Sequence, residues 1–315
     1  MVANPVWCLV GPTGTGKSEA AIALAQHLPI EIISVDSAAV YRHMDIGTAK
    51  PALAIRQRYA HHLIDILDPN EAYSVGAFFE DTARLVREIQ ARKKIPLLVG
   101  GTMMYAHSLL QGLSPLPPKD SQIRDFWLRE GEQKGWDRLH QLLQRIDPIA
   151  ASKIAPHDCQ RISRFLEVYT ITGKPWSLLC QERKKWPFPI AFIGWDFADR
   201  FFHKNLLEKR FANMLKTGLI EEVKMLAKHY ALTGQEPSLK AVGYHEAWLF
   251  LQGKITIEDV YTIGLKNTML LVKRQRTWAR KLPLSVLLDA QHKDNLTNLS
   301  RLIVDQSCEK HWNML

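Results

Sequence analysis

The octapeptide Gly11-Pro12-Thr13-Gly14-Thr15-Gly16-Lys17-Ser18 constrains the fold more than any other stretch of this chain. It follows the apolar run Val6–Val10 and precedes an alanine-rich stretch at 20–28, so the order is strand, glycine-rich loop, helix. Each residue type has a physical reason. Gly14 and Gly16 let the backbone bend and approach a phosphate without a Cβ in the way. Consecutive N–H groups then point inward, and the start of the helix adds positive potential. Lys17 supplies a full charge, and the Ser18 hydroxyl is in position to meet a phosphate-bound magnesium ion. The loop therefore binds a polyphosphate. By itself it does not distinguish ATP, GTP or a diphosphate ester.

Four further apolar runs, at 30–35, 95–99, 190–195 and 284–288, end in Gly, Asp or turn residues and suit buried parallel strands. Helical stretches separate the strands, for example at 74–92 and 102–111. This alternation predicts an α/β fold: a P-loop NTPase-like parallel sheet core flanked by helices. Ligands of such sheets bind at the carboxyl ends of the strands, where Gly11, Asp36 and Gly100 are expected to converge. Ser114-Pro115-Leu116-Pro117-Pro118 is a breaker, and the strand signal then fades until Ile190. Residues 120–187 are therefore read as an inserted all-helical domain, with residues 1–119 and 188–315 forming the core. From Arg200 an amphipathic helix resumes, with Leu206, Leu207, Phe211, Met214 and Leu215 as its apolar positions.

The chain has 315 residues and a formal net charge of +9, an excess that favours a polyanionic partner. Its four cysteines, Cys8, Cys159, Cys180 and Cys308, form no C-x-x-C pair, which argues against a zinc site or a disulfide framework. There is no basic segment ahead of an apolar signal core and no apolar run of membrane-spanning length. A cytoplasmic protein with no membrane partner is expected, and nothing demands more than a monomer.

Several polar positions are candidates for chemistry. Asp36 follows a strand directly and can be read as a general base, a magnesium ligand, a ribose acceptor or simply a helix N-cap. Thr102, after Gly100-Gly101, is a helix cap or a ligand-facing hydroxyl. His61 and His62 are adjacent and point apart, so hydrogen-bonding roles are favoured over a metal pair. Three basic clusters suit phosphodiester contact: Gln160-Arg161-Ile162-Ser163-Arg164, Lys240-Ala241-Val242-Gly243-Tyr244-His245, and Lys273-Arg274-Gln275-Arg276-Thr277-Trp278-Ala279-Arg280. Tyr244 and His245 are of types that stack on bases, and residues 260–288 contain no acidic side chain.

The chain resembles the tRNA dimethylallyltransferase (tRNA isopentenyltransferase) family in GPTGTGKS at 11–18, DSAAVYRHMDIGTAKP at 36–51, HHLID at 61–65 and LLVGGTMMY at 97–105. It does so again in GLSPLP at 112–117, QRISRFLEVYTITGK at 160–174, AVGY at 241–244 and KRQRTWAR at 273–280. The resemblance implies transfer of a dimethylallyl group from dimethylallyl diphosphate to N6 of adenosine 37 in tRNAs reading codons that start with U. Magnesium would be required, and residues 11–18 would hold the diphosphate. It further implies Asp36 as the base, Thr102 at the reaction channel, Lys17 and Arg210 on the diphosphate, and Ser18 on the metal. Contacts to the tRNA anticodon stem-loop carry over to Asp36, Ser37, Ala38, Ala39, Thr102, Arg124 and the three basic clusters, with the helical insertion gripping the stem. One departure stands out: Leu206 occupies the place of a second family arginine, so either Arg200 or Lys204 compensates or that arginine is not needed on the phosphate. The alternatives on residues alone are a P-loop nucleotide or metabolite kinase, and a non-catalytic RNA-binding module.

Overall fold

The computed structural model describes residues 5–292 and 294–308; residues 309–315, which carry no functional signal in the sequence, and the side chains of 305–308, Cys308 among them, lie outside the described residues. Two compact units emerge, one built from residues 1–110 and 186–315, the other from 111–185.

The first unit opens with β1 (Val6–Val10), α1 (Lys17–Ala25), β2 (Ile30–Val35), α2 (Leu53–Arg58), the two-residue β3 (His61–His62), α3 (Val75–Ala91), β4 (Ile95–Gly100) and α4 (Met103–Gln111). The strands pair in parallel in the order β3-β2-β4-β1, and β1 also pairs with a later strand, β5 (Ile190–Asp196), which in turn pairs with the last, β6 (Leu284–Asp289). Every residue of β1 and β2 is buried, which is why both read as unbroken apolar runs apart from Glu31 and Ser34. On one face Trp7, Leu9, Ile32, Leu97 and Ile193 pack with Ala21 and Leu24 of α1 and with Leu299 and Ile303 of the last helix. Burial pushes the Cys8 thiol upward, leaving it inert, and Cys8, Cys159 and Cys180 are free thiols.

A second core forms around the loop after β2. Val40, Tyr41 and Met44 pack against Phe211, Met214, Leu219, Val223 and Tyr244. These come from helices that follow β5 and, in chain order, the helical insertion. In chain order after β5 are α10 (Arg200–Lys216), α11 (Leu219–His229), α12 (Tyr244–Leu251), α13 (Ile257–Ala279) and, after β6, α14 (Asp294–Cys308). Leu207, Phe211 and Met214 are the buried face of α10, whereas Leu206 and Leu215 are half-buried.

The second unit is all helical: α5 (Ser121–Lys134), α6 (Trp136–Ile146), α7 (Pro148–Ala151), α8 (Cys159–Thr172) and α9 (Trp176–Leu179). Leu139, Leu143, Ile162 and Leu166 form its core, with Trp127 and Trp136 packed against them. The unit begins at Gln111, ahead of the expected boundary at 120, because Leu113 and Lys184 exchange backbone hydrogen bonds of 3.0 and 2.7 Å that tie the proline-rich stretch to the unit's own end. Trp186, by contrast, packs edge-on against Phe79 and Phe188 of the first unit.

Candidate active site

The phosphate loop leaves β1 and enters α1 through Gly16, whose φ of 78° makes it the N-cap with no side-chain cap bond. The first-turn N–H groups of α1 therefore lack a capping side chain, the condition that makes a helix start attractive to anions. Gly11 is needed because a Cβ there would lie 1.9 Å from the Trp195 carbonyl oxygen on β5. Three side chains hold the loop: Trp195 Nε1 donates to the Thr15 carbonyl at 2.8 Å, His203 Nε2 lies 2.9 Å from the Thr13 carbonyl, and Gln275 Oε1 accepts from the Thr13 N–H at 2.9 Å.

Two cations face this loop, Lys17 buried and Arg210 half-buried. Burial pushes the Lys17 ammonium down to about 8, helped by Arg210 and opposed by Asp36, Asp196 and Glu19. Lys17 Nζ donates to the Pro12 carbonyl and to Thr15 Oγ1 of its own loop. Arg210 is also lowered by burial, with Glu19 and Asp36 opposing that shift from a distance. Both line a cavity of about 130 Å³ together with Gly14, Gly16, Ser18, Ser34, Asp36, Lys50 and His61. Lys50 escaped the sequence reading. Its side chain is buried, donates to Asp65 at 2.6 Å and lies 3.2 Å from Asp45.

Asp36 stands at the end of β2 and caps a turn rather than a helix. Its Oδ1 accepts from Ala38 N at 2.8 Å and Ala39 N at 3.2 Å, while among the described residues no hydrogen bond involves Oδ2. The Thr102 hydroxyl accepts from Ser37 N at 3.0 Å and donates to Ser37 Oγ at 3.3 Å, so it braces the Asp36 turn from the neighbouring strand end. The convergence expected from the strand order is thus present. Asp36, Thr13, Thr48, Gly101, Arg210 and Gln275 line the small cavity and also a larger one of about 600 Å³. The larger chamber adds Ser37, Ala38, Thr102, Lys240, Ala241, Val242, Arg274 and Trp278, with an apolar wall that includes Leu207, Phe211 and Met214.

The basic clusters divide into residues that face outward and residues that do not. Lys273, Arg274, Thr277, Trp278, Arg280, Lys240 and His245 are exposed, as are Gln160 and Arg161 in the helical unit. Tyr244 cannot stack on a base: it is fully buried, its hydroxyl donates to Glu222 Oε1, and that hydroxyl accepts from Gly47 N at 3.1 Å. Gly243 is buried beside it, its N–H donating to Glu246 Oε2 at 2.6 Å. Gln275 is turned inward to the phosphate loop. Arg276 is engaged by Asp196 through two bonds of 2.8 and 2.9 Å and is no free phosphate contact. Ile162 and Ser163 are buried in the helical unit, and Ala39 is buried in the loop core. Arg124 and Arg164 both turn to the buried carboxylate of Glu167, at 3.3 and 2.9 Å, and Arg164 also donates to the Pro117 carbonyl. Ala279 is half-buried. Neither Arg200, paired with Asp196 at 2.8 Å, nor Lys204, 3.6 Å from Glu208, lines the phosphate cavity, so neither replaces the arginine absent at Leu206. His61 Nδ1 lies 2.6 Å from the Tyr59 carbonyl and His62 Nε2 lies 2.7 Å from Glu31, both hydrogen-bonding roles. Among the described residues no helix is long and apolar enough to cross a membrane.

Fold and site together define a P-loop α/β protein in which a small cavity lined by Lys17 and Arg210 shares Asp36 with a larger chamber of about 600 Å³. The family model for IPP transferase matches residues 39–282, and that for isopentenyl transferase matches residues 4–62. A tRNA dimethylallyltransferase of Nitrosococcus oceani is 47% identical over 294 residues, 93% of this chain and 94% of the relative. One from Thiobacillus denitrificans is 42% identical over 300 residues, 95% of this chain and 96% of the relative. The crystal structure of the tRNA isopentenylpyrophosphate transferase from Bacillus halodurans superposes with a TM-score of 0.71 at 32% identity, covering 99% of both chains. A eukaryotic dimethylallyltransferase solved acting on tRNA gives a TM-score of 0.79 at 28% identity, covering 97% of this chain and 79% of that one. The chain belongs to the tRNA dimethylallyltransferase family of prenyltransferases, and the kinase alternative falls away.

Proposed function

We propose that this protein transfers a dimethylallyl group from dimethylallyl diphosphate to N6 of adenosine 37 in tRNAs that read codons starting with U, releasing diphosphate. The observation that carries the reading is the position of Asp36: it lines both cavities, with one carboxylate oxygen fixed by the turn and the other free of protein hydrogen bonds among the described residues. The diphosphate occupies the loop cavity, and the adenine, unstacked from the anticodon loop, occupies the chamber. An exocyclic adenine amine is a weak nucleophile because its lone pair is delocalised into the ring. As the N6–C1 bond forms, the C1–O bond breaks and its electron pair leaves with the diphosphate. The Asp36 carboxylate takes the proton from N6. Lys17 and Arg210 meet the charge that builds on the leaving group, a preorganised electrostatic effect.

Magnesium suits this cavity. Ser18, Ser34 and Asp36 offer hard oxygen donors, and among the described residues no group of three or more His, Cys, Asp and Glu forms a protein cage. That donor set fits an ion held chiefly by phosphate and water, with Ser18 as its protein ligand. When bound, the ion neutralises the departing diphosphate. The exposed cations Lys240, Lys273, Arg274 and Arg280, with Trp278, suit the backbone and bases of an anticodon stem-loop. Exposed Gln160 and Arg161 give the helical unit a matching role on the stem.

The test is incubation of the protein with labelled dimethylallyl diphosphate, magnesium and unmodified tRNA, followed by nucleoside analysis. Label in N6-isopentenyladenosine at position 37 is expected. Hydrolysis of ATP with no label in RNA would overturn the reading.

A further inference from the structure

Thr13 stands in the wall shared by the two cavities, and both of its backbone polar groups are taken by side chains from distant helices. Its N–H donates to Gln275 Oε1 at 2.9 Å, from α13. Its carbonyl accepts from His203 Nε2 at 2.9 Å, from α10. The Gln275 amide is used at both ends, because Nε2 donates to the Gly101 carbonyl at 3.0 Å. A Cβ at Gly101 would lie 2.5 Å from that same nitrogen, so any side chain there would have to displace the Gln275 amide. Arg276 Nη2 donates to His203 Nδ1 at 2.7 Å, which leaves the imidazole proton on Nε2, aimed at Thr13. Asp196 fixes Arg276 in turn.

We propose that Gln275, backed by His203 and Arg276, is a positioning residue for the prenyl donor. It clamps the phosphate loop to the Gly101–Thr102 turn and so sets where the diphosphate lies relative to the Asp36 carboxylate. The connection is continuous. Gln275 holds Thr13 and Gly101, Thr102 follows Gly101 and holds Ser37, and Ser37 follows Asp36. Helix α13 therefore has two jobs on two faces. Lys273, Arg274, Thr277 and Trp278 are exposed, while Gln275 is 9% exposed and bound to the donor loop. This inference rests on the prenyl-transfer reading, since it names the donor as the ligand the clamp serves.

The test compares wild type with Gln275→Met, which keeps the length and removes both hydrogen bonds, and Gln275→Glu, which keeps the acceptor for Thr13 but cannot donate to Gly101. Donor KM, tRNA affinity and direct binding of inorganic diphosphate are measured on each protein. In Gln275→Met, donor KM is expected to rise, and diphosphate affinity to fall, about tenfold, with tRNA affinity within about twofold. Gln275→Glu should lose more donor affinity, because it also sets a negative charge beside the phosphates. Weakened tRNA binding with an unchanged donor KM would overturn the proposal and return Gln275 to the RNA face. So would unchanged constants, or a loss of kcat that only follows the fraction of folded protein. If wild type itself transfers no prenyl group, the reading of function fails, and the diphosphate measurement still decides the clamp.

Discussion

Two sets of cations in this molecule look alike in sequence and differ in physics. At the phosphate loop, Lys17 is buried and Arg210 half-buried, and the carboxylates Asp36 and Glu19 act on them only from a distance. In the helical unit, Arg124 and Arg164 share one buried carboxylate, Glu167, in direct contact. A buried cation with no close counter-charge destabilises the fold and is poised to meet an anion. A clasped arginine has already spent its charge on the fold. Arg276, clasped by Asp196, belongs to the second kind although it lies in the most basic stretch of the chain. Charge density in sequence is therefore a poor guide to ligand contact; the guide is which cations the fold leaves unpaired.

Asp36→Asn offers the largest effect, because it removes the base that the two loop cations face. Transfer is expected to slow about 10²- to 10⁴-fold in single-turnover assays, with tRNA affinity within a few-fold. A near-normal rate would mean that the cations serve some other chemistry.

Glu167→Ala should strand two arginines. A loss of about 3–5 kcal/mol is expected in denaturant unfolding, by analogy with other broken buried pairs. Lys17→Met should leave unfolding stability unchanged or raised, since it removes a desolvated charge, while donor binding is lost. Equal destabilisation by both would erase the distinction between the two sets.

The exposed and clasped members of α13 separate on a salt titration. Arg274→Ala is expected to flatten the slope of log tRNA affinity against log salt by about 1, and Arg276→Ala to leave it in place. A flattened slope in Arg276→Ala would put that side chain on RNA after all.

The smallest effect is a pH dependence. Burial brings Lys17 down to about 8, so the free protein loses this cation as pH rises through that value. The kcat/KM for the donor should fall on the alkaline side with an apparent pKa near 8, and the limb should be absent in Lys17→Met.

Five of the six strands were legible because each carries an apolar run: β1, β2 and β4 are buried almost throughout and β5 mostly so, while the edge strand β6 keeps its run although Leu287 and Ser285 are exposed. The sixth, His61–His62, has two residues and one neighbour, too short to leave a pattern. That the loop, Asp36 and Thr102 meet at one rim was legible from motif and strand order, whereas Arg210 came only from the family resemblance. The inward turn of Tyr244, Gln275 and Arg276 was not. Their partners Glu222, Thr13 and Asp196 lie 22, 262 and 80 positions away, and no local pattern records such pairings. An acid-free stretch around Arg276 read as a surface because its carboxylate comes from β5. The pairing of Arg124 and Arg164 with Glu167 was hidden for the same reason, since a single glutamate inside a helix gives no sign of being a hub.

The measurement closest to the central claim is calorimetric binding of an inert donor analogue, dimethylallyl thiolodiphosphate with magnesium, to wild type, Lys17→Met and Glu167→Ala. Binding to wild type and to folded Glu167→Ala at similar affinity, with a loss of about a hundredfold or more in Lys17→Met, is the expected result. Undiminished binding to Lys17→Met would contradict the assignment of the unpaired cations to the prenyl diphosphate.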